Sequence, residues 1–174
     1  MKKHKRAIFL DRDGVLINAP ININGKPKSI KFKKEVKFIK GIKSFCKKYK
    51  KHFLLIMITN QPDYERKVNT KKNIIEINNF IKEKLNLDSI FVCFSNDERN
   101  YFRKPNPGML FLAKNKYNLD LKKSYFIGDR WRDIDAGNKV GCKTVLLKYD
   151  YKEKVNTKPN IQINKISELK KYIK

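Results

Sequence analysis

Asp11 and Asp13 stand two residues apart in Asp11-Arg12-Asp13-Gly14-Val15, directly after the apolar run Ala7-Ile8-Phe9-Leu10. In an extended segment, alternation points both carboxylates the same way, and Gly14 permits a sharp turn behind them. Two neighbouring carboxylates repel, which raises one pKa unless a cation sits between them. Mg²⁺, a hard ion that takes oxygen ligands and few protein carboxylates, resolves that repulsion. A second acidic pair, Asp129 and Asp133, occurs in Gly128-Asp129-Arg130-Trp131-Arg132-Asp133. Together the two pairs supply the oxygens of a Mg²⁺ site, with water and phosphate completing it.

Two other segments offer groups for an anion. Thr59-Asn60-Gln61 presents hydroxyl and amide donors suited to phosphate oxygens, although the same trio is ordinary loop chemistry. Arg103-Lys104-Pro105-Asn106-Pro107-Gly108-Met109 places two cations ahead of a helix whose first turn suits Pro107. A phosphate there gains the Lys104 charge and the helix dipole. An acidic turn such as Asp-x-Asp-Gly is also common with no catalytic role, and Asp133 suits a helix first turn on dipole grounds alone.

These segments need elements to hold them. Ala7–Leu10, Phe53–Ile58, Ile90–Phe94, Tyr125–Ile127 and Thr144–Leu147 are short runs rich in β-branched and aromatic residues, as buried strands are. Between them, Phe38, Ile42, Phe45 and Tyr49 recur at helical spacing, as do Ile74, Ile77, Ile81 and Leu85. Met109, Leu112, Ala113 and Tyr117 predict a third helix and Ile134 to Val140 a fourth. Strands alternating with helices predict a doubly wound, Rossmann-like α/β fold with a parallel sheet of about five strands. Ligands of such sheets bind beyond the carboxyl ends of the strands, where all four segments fall. Residues Ala19 to Lys34 form an irregular basic stretch, and the tail from Asn156 to Lys174 reads as a short strand and a helix carrying Ile166, Leu169 and Ile173.

In order and strand position, Phe9 to Asn18, Thr59-Asn60-Gln61, Arg103 to Met109 and Gly128-Asp129-Arg130 resemble the four motifs of the haloacid dehalogenase superfamily, across roughly residues 6–150. Within subclass III the chain is most similar to the capless heptose-bisphosphate and histidinol-phosphate phosphatases. The resemblance implies that Asp11 is the nucleophile, forming an aspartyl phosphate, and that Asp13 is the general acid/base. It implies that Asp11, the backbone carbonyl of Asp13 and Asp129 hold Mg²⁺, with Asp133 a further or alternative ligand. Thr59, Asn60 and Lys104 would bind the transferring phosphoryl group, and Arg103 would meet the substrate. Residues 14–58 and 62–102, where relatives insert large caps, are needed for the scaffold itself, so a single domain over 1–174 with no large cap is expected.

Two departures from the resemblance bear on substrate. Relatives of the heptose type hold zinc in the loop before Arg-Lys-Pro through a Cys-x-His and a Cys-x-Cys pair, where this chain has Cys93-Phe94-Ser95 and Asn100-Tyr101-Phe102. A lone cysteine cannot supply the roughly four ligands that structural zinc takes. No zinc is therefore expected, and the loop should be held by Tyr101 and Phe102. After Gln61, Pro62-Asp63-Tyr64-Glu65-Arg66 replaces a Ser-Gly-Ile type segment and reshapes the rim.

Composition sets the wider limits. A chain of 174 residues suits one domain, since domains cluster near roughly 100–150 residues. Its 42 Lys and Arg against 17 Asp and Glu give a net charge of +25, attractive to phosphorylated metabolites or nucleic acid. The lysines are spread evenly with Asn and Ile, which reads as a chain-wide bias. Cys46, Cys93 and Cys142 are odd in number and unpaired in sequence, so a reducing cytoplasm is expected. The basic N-terminus precedes too short an apolar run for a signal peptide or membrane span. His4 and His52 read as surface residues, and Trp131 as either a packed lid or a substrate platform. The expected function is a Mg²⁺-dependent phosphatase, monomeric and cytoplasmic, acting on a small phosphorylated metabolite such as D-glycero-D-manno-heptose 1,7-bisphosphate in carbohydrate metabolism. The alternatives are histidinol phosphate as substrate, a nucleic-acid 3′-phosphatase, and a non-catalytic phosphate-binding module.

Overall fold

The computed structural model describes residues 5–153 and 157–173; His4 lies outside them, and His52 is exposed. Six strands form one all-parallel sheet: β1 (Ala7–Leu10), β2 (Leu54–Asn60), β3 (Ser89–Cys93), β4 (Tyr125–Gly128), β5 (Lys143–Leu147) and β6 (Ile161–Ile163). Their order in space is β3-β2-β1-β4-β5-β6. The winding therefore reverses between β1 and β4, and the crevice that this reversal opens lies beyond the ends of those two strands. One strand more than expected is present, because the tail segment pairs with β5 through Val145 to Leu147.

Strand alternation partitions the core between the two faces. Ile8, Leu10, Leu55 and Met57 join Ile42, Phe45, Ile77, Ile81 and Leu169 on one side. Ala7, Phe9, Ile56, Ile58 and Phe126 join Met109, Leu110, Ala113 and Ala136 on the other. The first face is covered by α1 (Ile42–Tyr49), α2 (Lys71–Leu85) and a C-terminal 3₁₀ turn (Ile166–Lys171); the second by α3 (Gly108–Tyr117) and α4 (Trp131–Lys139). Because both faces are packed, the central strands lack polar alternation, and all four residues of β1 are fully buried. No helix among the described residues is long and apolar enough to cross a membrane.

The helices follow the expected periodicities except at Phe38 and at Leu112, which is exposed on α3 where Leu110 is buried instead. Phe38 precedes α1 and bridges antiparallel to Ile17, because Gly41 at φ +87° starts the helix after it. α2 begins at Thr70, whose hydroxyl accepts from the Asn73 amide at 3.1 Å, and ends at Asn86 in the left-handed region.

Phe9 is the largest side chain of β1 and meets Phe126 edge to face at 6.1 Å. Phe9→Ala should lower unfolding free energy by about 3–5 kcal/mol, read as a lower denaturant midpoint with an unchanged m-value.

Candidate active site

The chain leaves β1 still paired, the Asp11 amide donating to Ile127 O at 3.1 Å, and then turns back through bonds from Gly14 to Ile17 O (2.8 Å) and from Leu16 to Arg12 O (3.0 Å). Gly14 holds φ +85°, and a Cβ on it would lie 2.0 Å from Asp129 Oδ2. The residue is glycine for two reasons: its backbone is left-handed, and a carboxylate from β4 occupies the place of its side chain.

Lys104 is buried, and its ammonium has three acceptors for three protons: Asp11 Oδ1 at 2.7 Å, Asp133 Oδ1 at 2.6 Å and Ile58 O at 2.9 Å. Asn60 fixes the backbone that carries it, donating to Lys104 O at 2.9 Å and accepting from Lys104 N at 3.0 Å. One carboxylate oxygen from each of Asp11, Asp129 and Asp133 lies within 4.8 Å of the others, and all three residues are buried. Two of the three carboxylates, Asp11 and Asp133, thus share one ammonium.

The imbalance is visible in proton affinity. Burial pushes the Asp11 carboxyl up to about 7, with Asp133 adding to the rise and Lys104 opposing it. Burial, and then Asp11 and Asp133, hold Asp129 well above the usual carboxylate range. Burial alone would lower the Lys104 ammonium, yet Asp11 and Asp133 outweigh it and the group is raised. Asp129 Oδ1 is buried with no hydrogen-bond partner. A clustered, oxygen-only donor set with an orphaned carboxylate oxygen and too little positive charge fits a hard divalent cation.

Asp13 faces the same cleft but lies apart from this trio. Its carboxylate accepts from Arg12 Nη2 at 2.9 Å, Gln61 Nε2 at 3.0 Å and Ser29 Oγ at 3.2 Å. Arg12 is fully buried and reaches Asn78 Oδ1 on α2 at 3.0 Å, so the sheet's helical layer orients the residue that orients Asp13. Gln61 also donates to Thr59 Oγ1 at 2.9 Å, and Thr59 sits behind it without lining the cleft.

The cleft has a volume of about 490 Å³. Asp11, Asp13, Asn60, Lys104, Asp129 and Asp133 meet in it, and Lys26, Lys28, Lys31, Arg66, Arg103 and Arg132 supply a basic rim. Arg103 is buried with Nη1 on Ser95 O at 2.8 Å and Nε without a partner. Tyr101 and Phe102 are half exposed, yet their rings meet edge to face at 5.4 Å against Gly108, and Tyr101 O accepts from Gly108 N at 3.1 Å. The loop is also held by Asn100, which accepts from Phe102 N at 2.9 Å, and by Asn106, which donates to Asn100 O at 2.9 Å. Trp131 does not line the cleft; its indole donates to Glu153 at 3.1 Å, beside the bidentate Arg130–Glu153 pair.

Arg12, Ser29, Asn78, Tyr151 and Glu153 were not singled out from sequence. Arg12, lying between the two acidic residues, carried a readable signal, whereas Tyr151, whose hydroxyl donates to Asp129 Oδ2 at 2.8 Å, carried none.

A family model described as HAD-hydrolase-like matches residues 101–169. The chain is 32% identical over 148 residues to a D-glycero-α-D-manno-heptose-1,7-bisphosphate 7-phosphatase of Campylobacter jejuni, covering 82% of this chain and 81% of that one. The chain belongs to the haloacid dehalogenase-like phosphatases. A D-glycero-β-D-manno-heptose-1,7-bisphosphate 7-phosphatase of Photorhabdus laumondii is 31% identical to this phosphatase over 189 residues, covering 97% and 95% of the two chains. Among solved structures, the D,D-heptose 1,7-bisphosphate phosphatase of B. bronchiseptica, complexed with magnesium and phosphate, superposes with a TM-score of 0.69 at 25% identity, covering 81% and 79%.

Gly14→Ala drives a methyl group into Asp129 and strains the turn that aims Asp11 and Asp13. Activity of the variant on an aryl phosphate in Mg²⁺ should fall by at least about 100-fold, while far-ultraviolet circular dichroism stays that of the parent.

Proposed function

We propose that this phosphatase hydrolyses a small phosphorylated sugar through an aspartyl phosphate, with Asp11 as nucleophile and Asp13 as general acid/base. The observation that carries the reading is the Lys104 ammonium seated between Asp11 and Asp133 at the floor of an open basic cleft. A carboxylate oxygen of Asp11 attacks phosphorus as the ester P–O bond breaks, and Asp13 gives its proton to the departing oxygen. Asp13, now ionised, takes a proton from water as that water attacks the phosphoryl group, releasing phosphate and restoring the Asp11 carboxylate. Arg12, Gln61 and Ser29 hold Asp13 in place for both transfers.

Asp11, Asp129 and the backbone carbonyl of Asp13 would hold Mg²⁺, which when bound supplies positive charge against the phosphoryl oxygens. Asp133 contributes chiefly by anchoring Lys104, since its second oxygen accepts the Arg130 amide at 3.1 Å. Lys104 meets the transferring phosphoryl group. Asn60 serves it by clamping the Lys104 backbone, and Thr59 serves by seating Gln61. Arg103, with an unpartnered Nε, meets the rest of the substrate. No structural zinc enters this reading, the Cys93 thiol lying beside Asn100 Oδ1 at 3.9 Å.

The names of the relatives support D-glycero-D-manno-heptose 1,7-bisphosphate as substrate; that the enzyme is a monomeric single domain acting in carbohydrate metabolism in the cytoplasm is part of the same proposal. The basic rim favours a second reading, in which the phosphate sits at a nucleic-acid 3′ end.

Asp11→Asn should lower kcat on an aryl phosphate by at least about 10³-fold, and substantial residual turnover would sink the mechanism. In a substrate panel, heptose bisphosphate should give the highest kcat/KM. A higher value for a 3′-phosphorylated oligonucleotide, weakening steeply as salt rises, would select the second reading instead.

A further inference from the structure

We infer that Tyr151 is a positioning residue of the cation site, fixing which oxygen of Asp129 is presented to Mg²⁺. The inference rests on the reading above that Asp129 is a ligand. A carboxylate has two equivalent oxygens and turns easily about its last bond, so a ligand carboxylate must be held to be of use to an ion. In this chain the two oxygens of Asp129 have been made different. Oδ2 receives the Tyr151 hydroxyl at 2.8 Å and lies over Gly14, in the space a Cβ would take. Oδ1 is buried and unpartnered, and Asp129 as a residue belongs to the cluster with Asp11 and Asp133. One oxygen is committed to the protein and the other is free for the ion.

The hydroxyl is itself held from both sides. Its ring stacks on Tyr149 at 5.2 Å and 17°, and the Tyr149 hydroxyl donates to Gly14 O at 2.9 Å. Two residues on, Glu153 is tied to Arg130 and Trp131, so the segment is anchored to the turn after β1 and to the start of α4. Between these anchors, the Lys152 amide donates to Gly25 O at 2.9 Å. Neither tyrosine belongs to the four motifs.

Partners of this kind typically change metal affinity by about 10–100-fold. Calorimetric titration of the full chain with Mg²⁺ should give a Kd about 10-fold weaker for Tyr151→Phe than for the parent, and saturating Mg²⁺ should restore most of the lost turnover. Because Mg²⁺ bound to the native state raises the melting temperature by mass action, the variant should need about 10-fold more Mg²⁺ for the same rise, a readout that survives a less stable fold. Tyr151→Phe at parental Mg²⁺ affinity, beside an Asp129→Asn variant that is weakened, overturns this inference alone. Parental affinity in Asp129→Asn overturns the cation-site reading as well.

Discussion

Asp11, Asp129 and Asp133 are brought so close together, and so far from water, that Asp11 and Asp129 hold their protons well above the usual carboxylate range, and Lys104 offsets only part of that rise at Asp11. A buried like-charge cluster survives folding only where the surrounding structure fixes it, and here each member has a rigid support. Asp11 stands at the end of a fully buried strand, Asp129 against a glycine with no room to spare, Asp133 in the first turn of α4, and Lys104 on a backbone gripped by Asn60. Removing one support leaves an uncompensated buried charge, which costs far more than the pair contributes when intact.

The distribution of charge around the cluster gives the +25 of the chain a local meaning. The floor of the cleft is acidic and the rim basic. A field of this form draws anions toward the opening while leaving the floor short of the positive charge that a cation brings. The three cysteines take no part: all are buried, and burial pushes the Cys46 and Cys142 thiols up to about 12, which makes them packing residues.

Much of this was legible in the chain because it is written locally. The apolar runs gave β1 to β5 within a residue or two, and the Ile74, Ile77, Ile81, Leu85 spacing gave α2, since burial on two faces or on one stripe leaves a periodic trace. Asp11, Asp13, Lys104 and Asp129 were found by type and position and all reach one cleft. What escaped depends on contacts between distant residues. Arg12 on Asn78 spans 66 positions and Tyr151 on Asp129 spans 22, and hydrogen bonds of that reach have no period. Thr59 offers a hydroxyl suited to phosphate, yet Gln61 takes that hydroxyl and Thr59 does not line the cleft. Phe38 carried a helical spacing that Gly41 interrupts.

The order β3-β2-β1-β4-β5-β6 also bears on how the molecule assembles. The two strands that flank the crevice are neighbours in space but are separated in the chain by three crossovers, and the Tyr151 contact comes only after β5. Pairings of such long sequence separation close slowly. During synthesis Asp11 therefore emerges long before Lys104, the ammonium that pairs with it, while Asp13 already has Arg12 beside it. The cleft is thus among the last things the fold completes, and a chain stopped after β3 keeps Asp11 and Asp13 but never builds their surroundings of Lys104, Asp129 and Asp133.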